Sequence, residues 1–333
     1  MNKRFISAAV FLFGYLLILQ PLFAVDGWKL IKNSNGIKVY ERPVSGSDLM
    51  EYVGVTTIDA KIEVIGEVLR DVPRWNKWVT DCYGAQIEKK FNRNNFIMYL
   101  VLNPPLIERR DIVLKDTVVY DWDNARAVIT FNSTDELKIP LEDGRIRVSN
   151  MSGGFYMDAM GRFKTKCIYR LKVDPSGKIP KKMAYVVMKN YPYETLKDLK
   201  DMVGLKKYTD LAKGTDEERQ CNNWIASDAK IRRALTSRLT KFVRDKAALR
   251  AIIAADRDGL REIISSGGSY ASVEKATTNF FIKYFERFIS DSKTREKLKN
   301  DKKLIAEMTD MVTTDCGASD VTLDSIMEKY RNR

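Results

Sequence analysis

The 333-residue sequence predicts an α+β fold followed by an all-α region. Three observations carry this expectation. Short β-branched and aromatic segments crowd between residues 36 and 173, separated by turn residues rather than by helices, so a doubly wound parallel sheet is not expected. Helical spacing of apolar residues brackets them, once at 58–71 and once at 180–204. Beyond 205 the strand signals vanish and only helical stripes remain.

The elements follow in order. Trp28 to Lys32 is a short apolar lead-in, and "GIKVYER" (36–42) alternates its side chains as a strand does. "MEYVGVTTI" (50–58) reads as the next strand. In "IDAKIEVIGEVLRD" (58–71) Ile62, Ile65, Val68 and Leu69 form one stripe, with Asp59 as the expected N-cap. Trp75 and Trp78 follow and are expected to plug one end of the sheet. Strands are expected at 85–91, 95–102, 112–122, 126–133, 145–151 and 160–173, with Ser152-Gly153-Gly154 as one of the turns. Short connections make neighbours antiparallel. Pro180 opens "KKMAYVVMKNYPYETLKDLKDMVG", a helical run ending at Gly204, in which Pro192 removes a backbone donor and should kink the helix. Met183, Val187 and Tyr191 recur every four residues along it, as core or as the wall of a ligand site. Later helices are expected at about 228–255, in a short segment stopping at Gly267-Gly268, around Val273 to Phe288, around Leu304 to Met311, and around Val321 to Tyr330.

The net charge of +13 is spread out, with +2 in 1–24, +5 in 25–204 (29 basic, 24 acidic) and +6 in 205–333 (26 basic, 20 acidic). Such a surface suits transient contact with anionic membranes. Nucleic-acid binding is not expected, because no zinc-finger, RNP or helix-turn-helix pattern is present. The chain contains no histidine. That excludes Ser-His-Asp and Cys-His nucleophiles and His-ligated metals. No cofactor and no metal are expected.

Lys3 and Arg4, the apolar run Phe5 to Leu19, and Ala24 after Gln20-Pro21 form a signal-peptide pattern. The run is shorter than the ~20 residues of a spanning helix, so cleavage near Val25 is expected, the alternative being an uncleaved anchor. A bacterial periplasm is the expected destination. Cys82, Cys167, Cys221 and Cys316 show no CxxC spacing. Cys221–Cys316 pairing and buried free thiols both stay open.

The pieces "GIKVYER", "VPRWNKWVTDC", "NPPLIERRDIVL", "GGFYM" and "IPKKMAYVVMKNYPYETLKDLK", in that order, resemble a START domain. This is the lipid-binding branch of the helix-grip fold shared with Bet v 1. The resemblance covers about 25–204 and leaves 205–333 unassigned. It implies a curved antiparallel sheet closed by a long C-terminal helix around an apolar cavity for one lipid. It also implies that the loop at "NPPLIERRD" (103–111) helps close the entrance and that Arg110, with Asp111 beside it, faces the ligand's polar head. Glu108 or Asp111 is the expected partner of that cation, since a buried unpaired charge costs several kcal/mol. Strand alternation sends Arg110 and Asp111 to opposite faces. Tyr99 is a further candidate, with either face open to it.

The expected organisation is therefore a signal peptide (1–24), a START-like domain complete in itself (25–204) and an all-α domain of unassigned role (205–333). The expected function is binding without catalysis: an exported carrier for a lipid or other hydrophobic small molecule. The alternative is a non-catalytic module whose helical half binds a protein partner. Phe280, Tyr284 and Phe288 are expected to form that half's core, with a membrane-docking face beside Lys283, Arg287, Lys293 and Arg295 as the lesser reading.

Overall fold

A computed structural model describes residues 27–47, 49–122, 125–227, 247, 259, 263–264 and 270–313. The expected signal peptide, the helix at 321–330, the Gly267-Gly268 stop, Cys316 and nearly all of the helix at 228–255 lie outside the described residues.

The described chain builds a ten-stranded sheet. Its strands are β1 (Lys29–Ser34), β2 (Ile37–Pro43), β3 (Met50–Ile58), β4 (Cys82–Asn92), β5 (Asn95–Leu102), β6 (Arg109–Asp121), β7 (Arg126–Ser133), β8 (Arg145–Arg147), β9 (Met151–Gly161) and β10 (Lys164–Val173). The order is β1-β2-β3-β10-β9-β7-β6-β5-β4, antiparallel throughout, with β8 added parallel to the start of β6. Helix α1 (Ile62–Arg70) starts after Lys61, not after the expected Asp59 cap, and no side chain caps it. A 3-10 segment, Val72–Lys77, then carries Trp75 into the core, and Trp78 packs beside it at a ring separation of 5.8 Å.

Two strand expectations are corrected. Ser152-Gly153-Gly154 is not a turn but part of β9, and the expected strand 145–151 shrinks to β8. The glycines are there for space. A Cβ on Gly153 would sit 2.6 Å from the Phe131 ring and 2.3 Å from the Arg170 carbonyl oxygen. The ladder runs through these residues because they have no side chain.

The expected long C-terminal helix is two helices, α2 (Lys181–Met188) and α3 (Tyr191–Met202). Pro192 accounts for the break. It has no N–H for the Met188 carbonyl, and its ring crowds that turn. Helix α3 packs on β2, β3 and β10. Gly54 permits this approach, since a Cβ there would lie 2.7 Å from Leu196 Cδ1.

The core does not stop at Gly204. Helices α4 (Lys206–Ala212) and α5 (Asp216–Ser227) follow, and Tyr208, Ala212 and Cys221 belong to the same hydrophobic cluster as α1 and the sheet. Beyond them α6 (Tyr270–Phe288) and α8 (Lys302–Thr313) are helical as expected, and α7 (Ser292–Lys299) is a further helix between them. Cys82, Cys167 and Cys221 are free thiols. Among the described residues no helix is long and apolar enough to cross a membrane.

Candidate functional site

The loop after β5 breaks the ladder at Asn103-Pro104-Pro105. Leu106 takes a φ of 66° and stands 86% exposed at its tip. Pro104 and Ile107 turn back inward and line a cavity with Arg110, the first inward-facing residue of β6. The strand's alternation adds Ile112 and Leu114. Leu100 and Leu102 of β5, Phe155 of β9, and Tyr169 and Leu171 of β10 continue the wall, and Val187, Met188, Tyr191 and Thr195 cover it from α2 and α3. The enclosed space is about 60 Å³. Among its lining residues Arg110 is the one charged side chain.

Arg110 is 3% exposed. Its guanidinium donates to backbone carbonyls: Nε to Pro175 (3.3 Å), Nη2 to Ser176 (3.5 Å) and Nη1 to Glu108. No carboxylate lies within ion-pair distance of it among the described residues. Burial lowers its pKa, and the negative field of Glu108 and Tyr191 offsets part of that. Burial also pushes the Tyr191 hydroxyl well above its ordinary value, with Asp81, to which it hydrogen-bonds, adding to the effect. At the other side of the cover, the Thr80 and Thr195 hydroxyls meet at 2.9 Å.

The structure brings together some of the residues expected from sequence and separates others. Arg110, Val187 and Tyr191 line one cavity. Met183 is half-buried and is not part of that lining. Glu108 is exposed and contributes only its carbonyl. Tyr99 and Asp111 do not belong to the cavity. Both face the opposite side of the sheet, where Asp111 accepts from Tyr99 Oη at 2.7 Å and from Arg147 Nε and Nη2 at 2.9 Å each. Burial alone would raise the Asp111 carboxyl, but the bonds from Arg147 and Tyr99 outweigh it and hold it below its ordinary value. Arg145 Nη1 donates to Tyr99 Oη at 2.9 Å. This cluster pins β8 to β6. The expected partnership of Arg110 with Glu108 or Asp111 side chains is therefore corrected: strand parity takes one away and exposure the other.

Sequence reasoning passed over Asp116, six residues along the same strand. It is buried on the inward side of β6, and its Oδ2 has no hydrogen-bond partner. The signal was available in the alternation Arg110, Ile112, Leu114, Asp116, Val118.

Comparison with known proteins agrees with this architecture. A START domain family model matches residues 15–208. An uncharacterized protein of Pseudomonas aeruginosa is 31% identical over 175 residues, which cover 53% of this chain and 86% of that protein. The phosphatidylcholine transfer protein of Bos taurus is 24% identical over 187 residues, 54% of this chain and 85% of its own. Among solved structures, a fragment of a STAR-related lipid transfer protein from Xanthomonas axonopodis superposes with a TM-score of 0.50 at 27% identity, covering 54% of this chain and all of the fragment.

Proposed function

The chain belongs to the START domain family, and on that premise we propose that it is an exported carrier that holds one lipid, or a hydrophobic molecule of similar size, with its polar end at Arg110. The observation that carries this reading is a buried cation, without a carboxylate partner among the described residues, at one end of an otherwise apolar cavity. A lipid headgroup supplies an anion or carbonyl to that cation. The apolar walls return the roughly 0.8 kcal/mol per CH₂ that leaves the bilayer. The reading is of a binding protein rather than an enzyme, on the ground that a chain without histidine lacks the commonest general base. Export rests on the Lys3 to Ala24 pattern, and the basic surface suits brief contact with anionic membranes.

A cavity of about 60 Å³ is well below the roughly 300–1,000 Å³ of sites that enclose small ligands. Loading therefore requires the walls to part. Helix α2 is the piece built to move. It has eight residues, no side-chain cap, a break from α3 at Lys189-Asn190, and Val186 exposed on its outer side. Pro104, in the stiff Pro104-Pro105 loop, lines the same cavity as Val187 and Met188.

Native mass spectrometry of the full-length chain, before and after incubation with phospholipid vesicles, tests the reading. A bound lipid of defined mass is expected, lost or exchanged for a different headgroup in Arg110→Leu and kept in Arg109→Leu. Arg109 points the other way, with its guanidinium 4.1 Å over the Tyr83 ring. Protein that stays empty with every vesicle composition would overturn the carrier reading.

A further inference from the structure

Strand β6 carries two ionisable side chains on its inward face. Arg110 stands at one end, Ile112 and Leu114 follow, and Asp116 comes next, 1% exposed. Asp116 lines a second, smaller cavity of about 10 Å³, room for about one water molecule. Trp75, Phe131 and Phe155 line both cavities and so form the partition between them. Trp75 is tethered by its indole N–H, which donates to the Leu69 carbonyl at 3.0 Å. Phe131 and Phe155 have no polar tether.

A buried carboxyl with an unused oxygen destabilises a fold unless something pairs with it. Arg70 reaches the same small cavity, but its Nη1 and Nη2 are taken by Glu67, Glu217 and Tyr120, and only Nε is unpartnered. The inward face of β6 thus has a cation, an apolar span and a carboxyl in sequence. Six residues at 3.2–3.4 Å each put the two ionisable positions about 20 Å apart, the scale of an extended long acyl chain.

Resting on the carrier reading above, we infer that Asp116 is a second ligand-binding residue, and that the chain takes a long single-chain amphiphile with an acidic head at Arg110 and a hydroxyl at its far end. The Phe131 and Phe155 rings turn aside to join the two cavities. Burial raises the Asp116 carboxyl to about 8, so near neutral pH it is largely protonated. A protonated carboxyl both donates and accepts, which a hydroxyl matches in either direction.

The test is displacement of a fluorescent fatty acid from the full-length chain by hexadecanoic acid and by ω-hydroxyhexadecanoic acid. The parent is expected to bind the hydroxy acid at least as tightly as the plain acid. In Asp116→Leu the ratio should fall about tenfold, as one hydrogen bond is lost, while hexadecanoic acid binds as before or better. Asp116→Asn, which keeps a donor and an acceptor, should retain the parent's ratio. Asp116→Ala gives the same comparison without added bulk should the leucine variant fold poorly. An unchanged ratio in the leucine or alanine variant would mean that Asp116 holds only a trapped water, and the inference falls while the carrier reading stands. If neither acid displaces the probe, or the probe itself does not bind the parent, the inference falls, and the carrier reading is decided by the vesicle experiment above.

Discussion

The two ends of the core treat buried charge in opposite ways. Around α1 every buried cation meets a carboxylate. Arg162 Nη1 lies 2.6 Å from Glu63 Oε1 and Arg162 Nη2 lies 3.2 Å from Glu218, while Arg70 and Arg93 share Glu67 and Glu217. On the inward face of β6, among the described residues, Arg110 has carbonyl oxygens alone and Asp116 has no cation within ion-pair distance. Charges that hold a fold together are paired inside it, because leaving one unpaired is expensive. Ionisable groups left short of partners are destabilising, and under the proposed function a ligand is what makes them worth keeping. The contrast assigns architecture to the α1 end and, on the carrier reading proposed above, recognition to the cavity end.

The largest effect should come from cutting the α1 end in two. A chain ending near Lys206 loses Tyr208, Ala212 and Cys221 from the main cluster, and it strips Glu217 and Glu218 from Arg70, Arg93, Lys61 and Arg162. Burying an aromatic ring is worth about 3–5 kcal/mol, and each broken buried pair adds to that, against a total stability of about 5–15 kcal/mol. The truncated chain is expected to lose cooperative unfolding and to bind a hydrophobic dye. A sharp thermal transition like the parent's would show that 25–204 is complete without α4 and α5.

Next in size is Arg162→Leu. It leaves Glu63 buried and unpaired, and should cost about 3–5 kcal/mol, read from chemical denaturation midpoints. A change under about 1 kcal/mol would remove the distinction between the two ends.

A smaller effect concerns pH. Folded Asp116 is raised to about 8 from an ordinary 3.8, so between those values the folded chain holds a proton that the unfolded chain has released. Stability from this group therefore falls as pH rises through that window, and below it the cost vanishes. Against Asp116→Asn, the parent's relative melting temperature should decline between pH 5 and pH 8. A constant gap would mean that the carboxyl ionises normally and is solvated.

Much of this was legible in the sequence, and the failures have physical causes. The strand signals, the α1 stripe and the Pro192 break follow from local chemistry. Ser152-Gly153-Gly154 looked like a turn because glycine's local preference is all a sequence displays, whereas its reason is Phe131, twenty-two residues away in the chain. The stop at Gly204 looked final because Tyr208 and Cys221 declare their burial only against α1. Parity along β6 separated Arg110 from Asp111 correctly. The same parity pointed Asp116 inward, but an acid in an apolar strand reads as an exposed position until its neighbours are known.

The smallest expected effect on stability is also the most discriminating. Arg110→Leu removes charge-assisted bonds to three loop carbonyls, each worth about 1.5–3 kcal/mol net. It also removes a desolvated cation with no carboxylate partner among the described residues, and relief of that several-kcal/mol desolvation works in the other direction. The two contributions should leave Arg110→Leu within about 1 kcal/mol of the parent, beside the about 3–5 kcal/mol expected for Arg162→Leu. Arg109→Leu should change by less than about 1 kcal/mol, through loss of its stacking on Tyr83. Denaturation of the three variants side by side checks the ranking. If Arg110→Leu proves as costly as Arg162→Leu, Arg110 is a structural cation, its loop carbonyls are its true partners, and the polar end of the cavity must be sought at Tyr191 and Thr195 instead.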